Sequence, residues 1–157
     1  MKFSSHEDIE APIDTVFEAI TDFPAFERQA LRRGAEVQRS DSLAQPGPGM
    51  TWDAAFMLRG KRREIKIELA RMDRPNGVLA DARSPNLKMQ FEVDLVALSR
   101  NRTRLSVNLA LEPKTLAARL MLQSMKLARK TLTRRFRKRV AEFATDVENR
   151  NKSATTA

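Results

Sequence analysis

The chain has no cysteine and no tyrosine, and a single histidine, His6. Without thiols it can form no disulfide, no thiolate nucleophile and no cysteine-ligated metal site. One imidazole removes most histidine-based metal and catalytic arrangements, so neither a metal nor a cofactor is expected. No run approaches the roughly 20 apolar residues that a membrane-spanning helix needs. An apolar signal core is also missing at the N-terminus, where Lys2, Ser4, His6, Glu7 and Asp8 interrupt any such stretch. The cytoplasm is therefore the expected location.

Acidic residues are absent from one long segment. Between Pro113 and Ala141 there are ten Lys or Arg residues and no Asp or Glu. The rest of the chain carries 19 basic against 20 acidic residues, so the whole net charge of +9 belongs to this segment. At 157 residues the chain is long enough for one domain with a real core.

The apolar pattern begins as a short strand with Phe3 and Ile9 on one face. Pro12 suits a helix start, where its missing N–H would be unbonded in any case. Ile13, Val16, Phe17 and Ile20 then recur at helical spacing and predict one buried face. Pro24 forces Phe23 out of helical geometry and ends this helix near Asp22. Phe26, Ala30 and Leu31 carry a second short helix as far as Gly34.

From Ala35 to Glu112 the chain alternates. Ala35–Ser42 reads as a strand, and QPGPG in the Leu43–Gly49 loop forbids regular structure. Trp52, Ala54, Phe56 and Leu58 share one face and return through a tip at Gly60-Lys61 to Ile65, Ile67 and Leu69. A turn at Arg74-Pro75-Asn76-Gly77 leads to a short strand, Val78–Arg83. Leu87, Met89, Phe91, Val93 and Leu95 form a long strand, and Leu105, Val107, Leu109 and Leu111 form the last. Such alternation implies an antiparallel sheet with one dry and one wet face. Pro113 is expected to open a single helix to about Glu148. Its apolar stripe runs through Leu116, Leu120, Met121, Met125, Ala128, Leu132, Phe136, Val140, Phe143 and Val147. Residues 1–148 thus read as one domain, with a polar, disordered tail over 149–157.

A strand, two short helices, a meander of strands and a long C-terminal helix is the helix-grip order. In this order the chain resembles the START/SRPBCC superfamily, in particular its polyketide cyclase/dehydrase-like branch. The residues that carry the resemblance are Ala11-Pro12, Val16-Phe17, Asp22-Phe23-Pro24 and the passage from Gly47 to Trp52. It spans about Phe3 to Val147. The resemblance implies an α+β fold, a curved antiparallel sheet of about seven strands gripping the long helix. Between sheet and helix it implies a cavity for a lipid, isoprenoid, polyketide-like or other apolar small molecule.

Strand parity supplies the candidate ligand-binding residues: Trp52, Phe56, Ile67, Leu69, Met89, Phe91 and Val107, with Met121 and Met125 from the helix. Methionines suit a pocket that adapts to its contents. The plain alternative is that all of these fill the core. A cyclase or dehydratase would need an acid or base inside, and parity points Glu7, Arg63 and Arg71 inward. Glu7 and Arg71 are the catalytic candidates, with a rim position or an ion pair as the competing reading. His6 has the opposite parity to Phe3 and faces outward.

On the basic segment Arg129, Lys130, Arg134, Arg137 and Lys138 fall away from the apolar stripe. They form either a solvated face or a surface for an anionic partner, because like charges at helical spacing repel. An anionic membrane would suit them, as would an acidic protein. The lack of tyrosine and the burial of Phe136 and Phe143 leave no base-stacking platform, which argues against nucleic acid. Nothing in the pattern chooses between monomer and dimer.

Overall fold

The computed structural model describes residues 1–156. Strand β1 (Lys2–Ile9) is followed by helices α1 (Ile13–Ile20) and α2 (Phe23–Arg32). Six strands come next: β2 (Glu36–Arg39), β3 (Thr51–Leu58), β4 (Lys61–Asp73), β5 (Gly77–Arg83), β6 (Leu87–Ser99) and β7 (Arg102–Pro113). Helices α3 (Leu116–Lys126) and α4 (Arg129–Thr156) complete the chain. All neighbouring strands are antiparallel, in the order β1-β7-β6-β5-β4-β3-β2. This is the expected helix-grip architecture.

The two short helices are separated at Thr21 and Asp22, close to the expected stop. Phe23, expected to be held out of helical geometry by Pro24, is instead the first residue of α2, because a proline in the first turn gives up no helical hydrogen bond. Asp22 caps α2 by accepting from the Ala25 N–H at 3.3 Å, and Pro24 occupies its first turn. Gly34 takes a φ of +89° just past the end of α2, a left-handed geometry that glycine adopts without steric cost. Val16, Phe17 and Ile20 of α1 are buried against Val93, Leu95 and Leu105 of the sheet and Val140, Ala144 and Val147 of α4. Fully burying side chains of this size contributes about 1.5–3 kcal/mol each. The joint between β1 and α1 is fixed by Thr103, whose buried hydroxyl donates to the Ala11 carbonyl at 2.9 Å.

Two features depart from the sequence pattern. The expected single helix from Pro113 to Glu148 is two helices. Strand β7 runs to Pro113, and α3 begins at Leu116 under a cap in which Thr115 Oγ1 accepts from the Ala118 N–H at 3.1 Å. At its other end α3 tightens, with Leu127 N–H bonding to Ser124 O and Ala128 N–H to Met125 O, each three residues back. The Ser124 hydroxyl donates to the Met121 carbonyl at 2.8 Å, competing with the helical ladder. Helix α4 then continues through residues 149–156 rather than stopping at Glu148, and Ala157 of the expected tail lies outside the described residues. The second departure is a β-bulge. Leu69 pairs with Ala80, but Arg71 pairs with Leu79, so Ala70 is an extra residue that reverses the facing of the residues after it.

Candidate functional site

The concave face of the sheet has a sealed half and an open half. In the sealed half Val78, Val93, Leu95, Leu105 and Val107 are buried beneath α1 and α4. The open half is built from the other ends of the same strands. Register brings Phe91 beside Ala80 and Leu109, and Met89 beside Ala82 and Leu111. Ala82 in turn faces Ile67, and Phe56 faces Arg63. Phe56, Ile65, Ile67, Ala80, Ala82, Met89, Leu109 and Leu111 are only half-buried, and Phe91 is 40% exposed. Ala80 and Ala82 leave no side-chain bulk in the middle of the sheet and form the floor. The result is an apolar trough, with Met121 and Met125 of α3 half-buried on the same helix face as the buried Ala118 and Leu122.

The candidates therefore separate. Phe56, Ile67, Met89 and Phe91 lie along the trough, while Met121 and Met125 are half-buried on α3, which packs on β7. Trp52, Leu69 and Val107 are buried in the core. The Trp52 ring lies 5.4 Å from that of Phe23, and its indole N–H donates to Glu27 Oε1 at 2.8 Å. Leu116 and Leu120, expected in the buried stripe of the helix, are instead 71% and 57% exposed, because α3 packs through Ala118 and Leu122 and turns these two leucines to its far side.

Of the charged candidates, Arg71 does not face inward. The bulge at Ala70 turns it to the outer face, where its guanidinium lies 3.6 Å from Glu92 and 3.7 Å from Asp94. Glu92 is held above the ordinary carboxylate range, chiefly by its hydrogen bond with Asp94 and then by partial burial. Glu7 keeps the inward parity and is half-buried, opposite Leu105 on β7. Arg63 also faces inward. Its Nε is shielded from solvent and has no hydrogen-bond partner, while its neighbour Arg62 pairs with Glu36 and Glu64. Glu7 and Arg63 stand four strand spacings apart, about 19 Å along the sheet, so they form no acid–base pair. His6 is exposed on the outer face, as expected.

Arg129, Lys130, Arg134, Arg137 and Lys138 are all exposed, and none of them forms a salt bridge among the described residues. Arg137 donates through Nε to the Ser4 carbonyl at 3.4 Å. No described helix is long and apolar enough to cross a membrane.

No protein-family model matches the chain, and no curated protein matches it. Solved structures do. The Zhui aromatase/cyclase from Streptomyces sp. R1128 is similar at 15% identity and a TM-score of 0.67, covering 96% of this chain and 94% of its own. A START superfamily protein from Mycobacterium smegmatis is 16% identical with a TM-score of 0.63, covering 98% of both chains. Norcoclaurine synthase from Thalictrum flavum is 12% identical with a TM-score of 0.64, covering 95% of this chain and 84% of its own. The chain has the helix-grip fold of the START/SRPBCC proteins.

Proposed function

We propose that this chain binds an elongated apolar small molecule along the open half of its concave face. One observation carries the reading. The inward-facing apolar residues Phe56, Ile65, Ile67, Met89 and Phe91 keep surface open to solvent, while Val78, Val93, Leu95, Leu105 and Val107 on the same face are buried. Apolar clefts with few polar groups are the usual form of small-molecule sites. Similarity to an aromatase/cyclase and to norcoclaurine synthase supports a ligand-holding role for the fold. The alternative, a cyclase- or dehydratase-like enzyme, needs a titrating group beside the bound molecule. Glu7, on the edge strand opposite the buried Leu105, is poorly placed for that work.

The test is native mass spectrometry of gently purified protein, followed by organic extraction. A stoichiometric apolar passenger is expected, and Ala82→Trp, which fills the floor, should abolish it. A clean apo mass that persists when long-chain lipids are added would refute the reading.

A second reading concerns the cations of α4. Five exposed basic side chains without acidic partners suit an anionic membrane surface, at which an apolar passenger could be exchanged.

A further inference from the structure

Helix α3 has two apolar faces. One holds the buried Ala118 and Leu122, and the other holds Leu116, Leu120 and Leu127. At about 100° per residue these three leucines lie within about 40° of one another, on the side away from the buried pair. They are 71%, 57% and 92% exposed. Leu127 stands at the break between the helices, with helical backbone angles that keep it in line with the other two. Exposed apolar side chains aligned on one helix face mark an interaction surface, whereas scattered single ones do not.

The charges around this stripe all have one sign. Arg119 and Lys126 lie beside it on α3, and Arg129, Lys130 and Arg134 follow directly on α4. No acidic residue occurs from Pro113 to Ala141, and none of these five cations is in a salt bridge among the described residues. Unpaired cations along one flank of aligned leucines and just beyond their end are the composition of a helix that lies in a membrane interface, with acyl chains below and anionic headgroups at the side. Nucleic acid would satisfy the cations and leave the leucines in water.

We propose that the α3–α4 junction docks on an anionic lipid bilayer. Leu116, Leu120 and Leu127 enter the acyl boundary while the flanking lysines and arginines meet the headgroups. This deepens the membrane reading of the α4 cations and rests on it. Its functional consequence comes from the opposite face of α3, where Met121 and Met125 are half-buried beside Ala118 and Leu122 and the helix packs on β7. Docking places against the bilayer a helix that packs on β7, the strand of Leu109 and Leu111.

The experiment is co-sedimentation of the full chain with vesicles of phosphatidylcholine alone and of phosphatidylcholine with one third phosphatidylserine. Binding is expected to the anionic vesicles only, weakening by at least about tenfold when salt is raised to about 0.5 M. Leu127→Glu should lower partition at least about tenfold while leaving the circular dichroism spectrum unchanged, because the side chain is almost fully exposed. In Leu127→Trp, emission should be quenched by lipids brominated in their acyl chains. The native chain should resist that quenching, since its only tryptophan is 7% exposed. Absence of binding to anionic vesicles at low salt would overturn the proposal. So would Leu127→Glu binding as tightly as native, which would show surface adsorption by charge alone. Displacement from vesicles by RNA or polyglutamate, with affinity indifferent to Leu127→Glu, would assign the surface to a soluble polyanion instead. Vesicle binding does not require an occupied trough, so Ala82→Trp should still bind, and failure of either proposal leaves the other readable.

Discussion

Trp52 donates its indole N–H to Glu27 Oε1 at 2.8 Å, and this bond ties α2 to β3. The indole is otherwise enclosed, with Phe23 against its ring. Removing the acceptor leaves a shielded donor unpaired, which costs about 1–3 kcal/mol. Glu27→Ala should therefore lower the urea midpoint, and Glu27→Gln should restore most of the loss because its amide oxygen can still accept. Unfolding followed by the emission of Trp52 measures both. Equal midpoints for native and Glu27→Ala would refute the anchoring role.

Asp41 organises the loop before β3. Its carboxylate accepts from Arg39 Nε at 3.0 Å, from the Thr51 N–H at 3.0 Å and from the Leu43 N–H at 2.9 Å. The Arg39 hydrogen bond, followed by that from Thr51, holds the carboxyl well below its ordinary range. A depressed folded-state value means that the contribution is complete above about pH 4 and is lost as pH falls below that. Asp41→Asn should be less stable than native at neutral pH, with the gap closing toward about pH 2. A gap of constant size across that range would show that the charge is not what matters.

The outer face carries the opposite sign. Glu92 is raised, chiefly by the hydrogen bond with Asp94, so it costs stability while ionised, and that cost is relieved as pH falls through its folded-state value. Glu92→Gln should be at least as stable as native at neutral pH and lack that acid-side gain. Arg71→Met should push Glu92 higher still, because Arg71 is the charge that lowers it. Since Arg71 lies outside the trough, this substitution should leave any extracted passenger unchanged. Its loss would return Arg71 to the binding face.

Alternation made most of this sheet readable. Phe3, Ile9, Val93 and Leu105 each lie on the face that their parity assigns. Parity fails at Ala70 because a bulge adds a residue without altering the hydrophobic pattern. Leu69, Arg71 and Met72 give no turn signal, and only pairing with β5 shows that Arg71 has crossed the sheet. The helix break is similarly quiet. Neither glycine nor proline marks Leu127 and Ala128, and a stripe with steps of three and four continues through them. Which apolar residues line an opening rather than fill the core was also illegible. Leu69 and Ile67 share one strand face, yet one is buried and the other half-exposed, according to where distant helices lie.

Gly77 opens β5 at a place where a side chain cannot fit. A Cβ there would stand 2.1 Å from the Val93 carbonyl oxygen, which is backbone in the paired strand. Gly77→Ala must therefore separate β5 from β6 at that point, at a cost of about 2–4 kcal/mol. Thermal unfolding should show it, and an unchanged midpoint would mean that the two strands can part freely there.

Val78 and Ala82 provide the sharpest contrast, because they share one strand and one face. Val78 is 5% exposed under the helices, whereas Ala82 is half-exposed on the floor of the trough. Tryptophan at position 78 has no space and should cost about 1–3 kcal/mol or more through overpacking. Tryptophan at position 82 can lie along Ile67 and Met89 in the opening, burying apolar surface without displacing a neighbour, so its thermal midpoint should stay near or above that of the native chain. It should also expel the passenger. If Ala82→Trp instead destabilised the chain as much as Val78→Trp, the trough would already be closed by packing, and a ligand would have nowhere to lie.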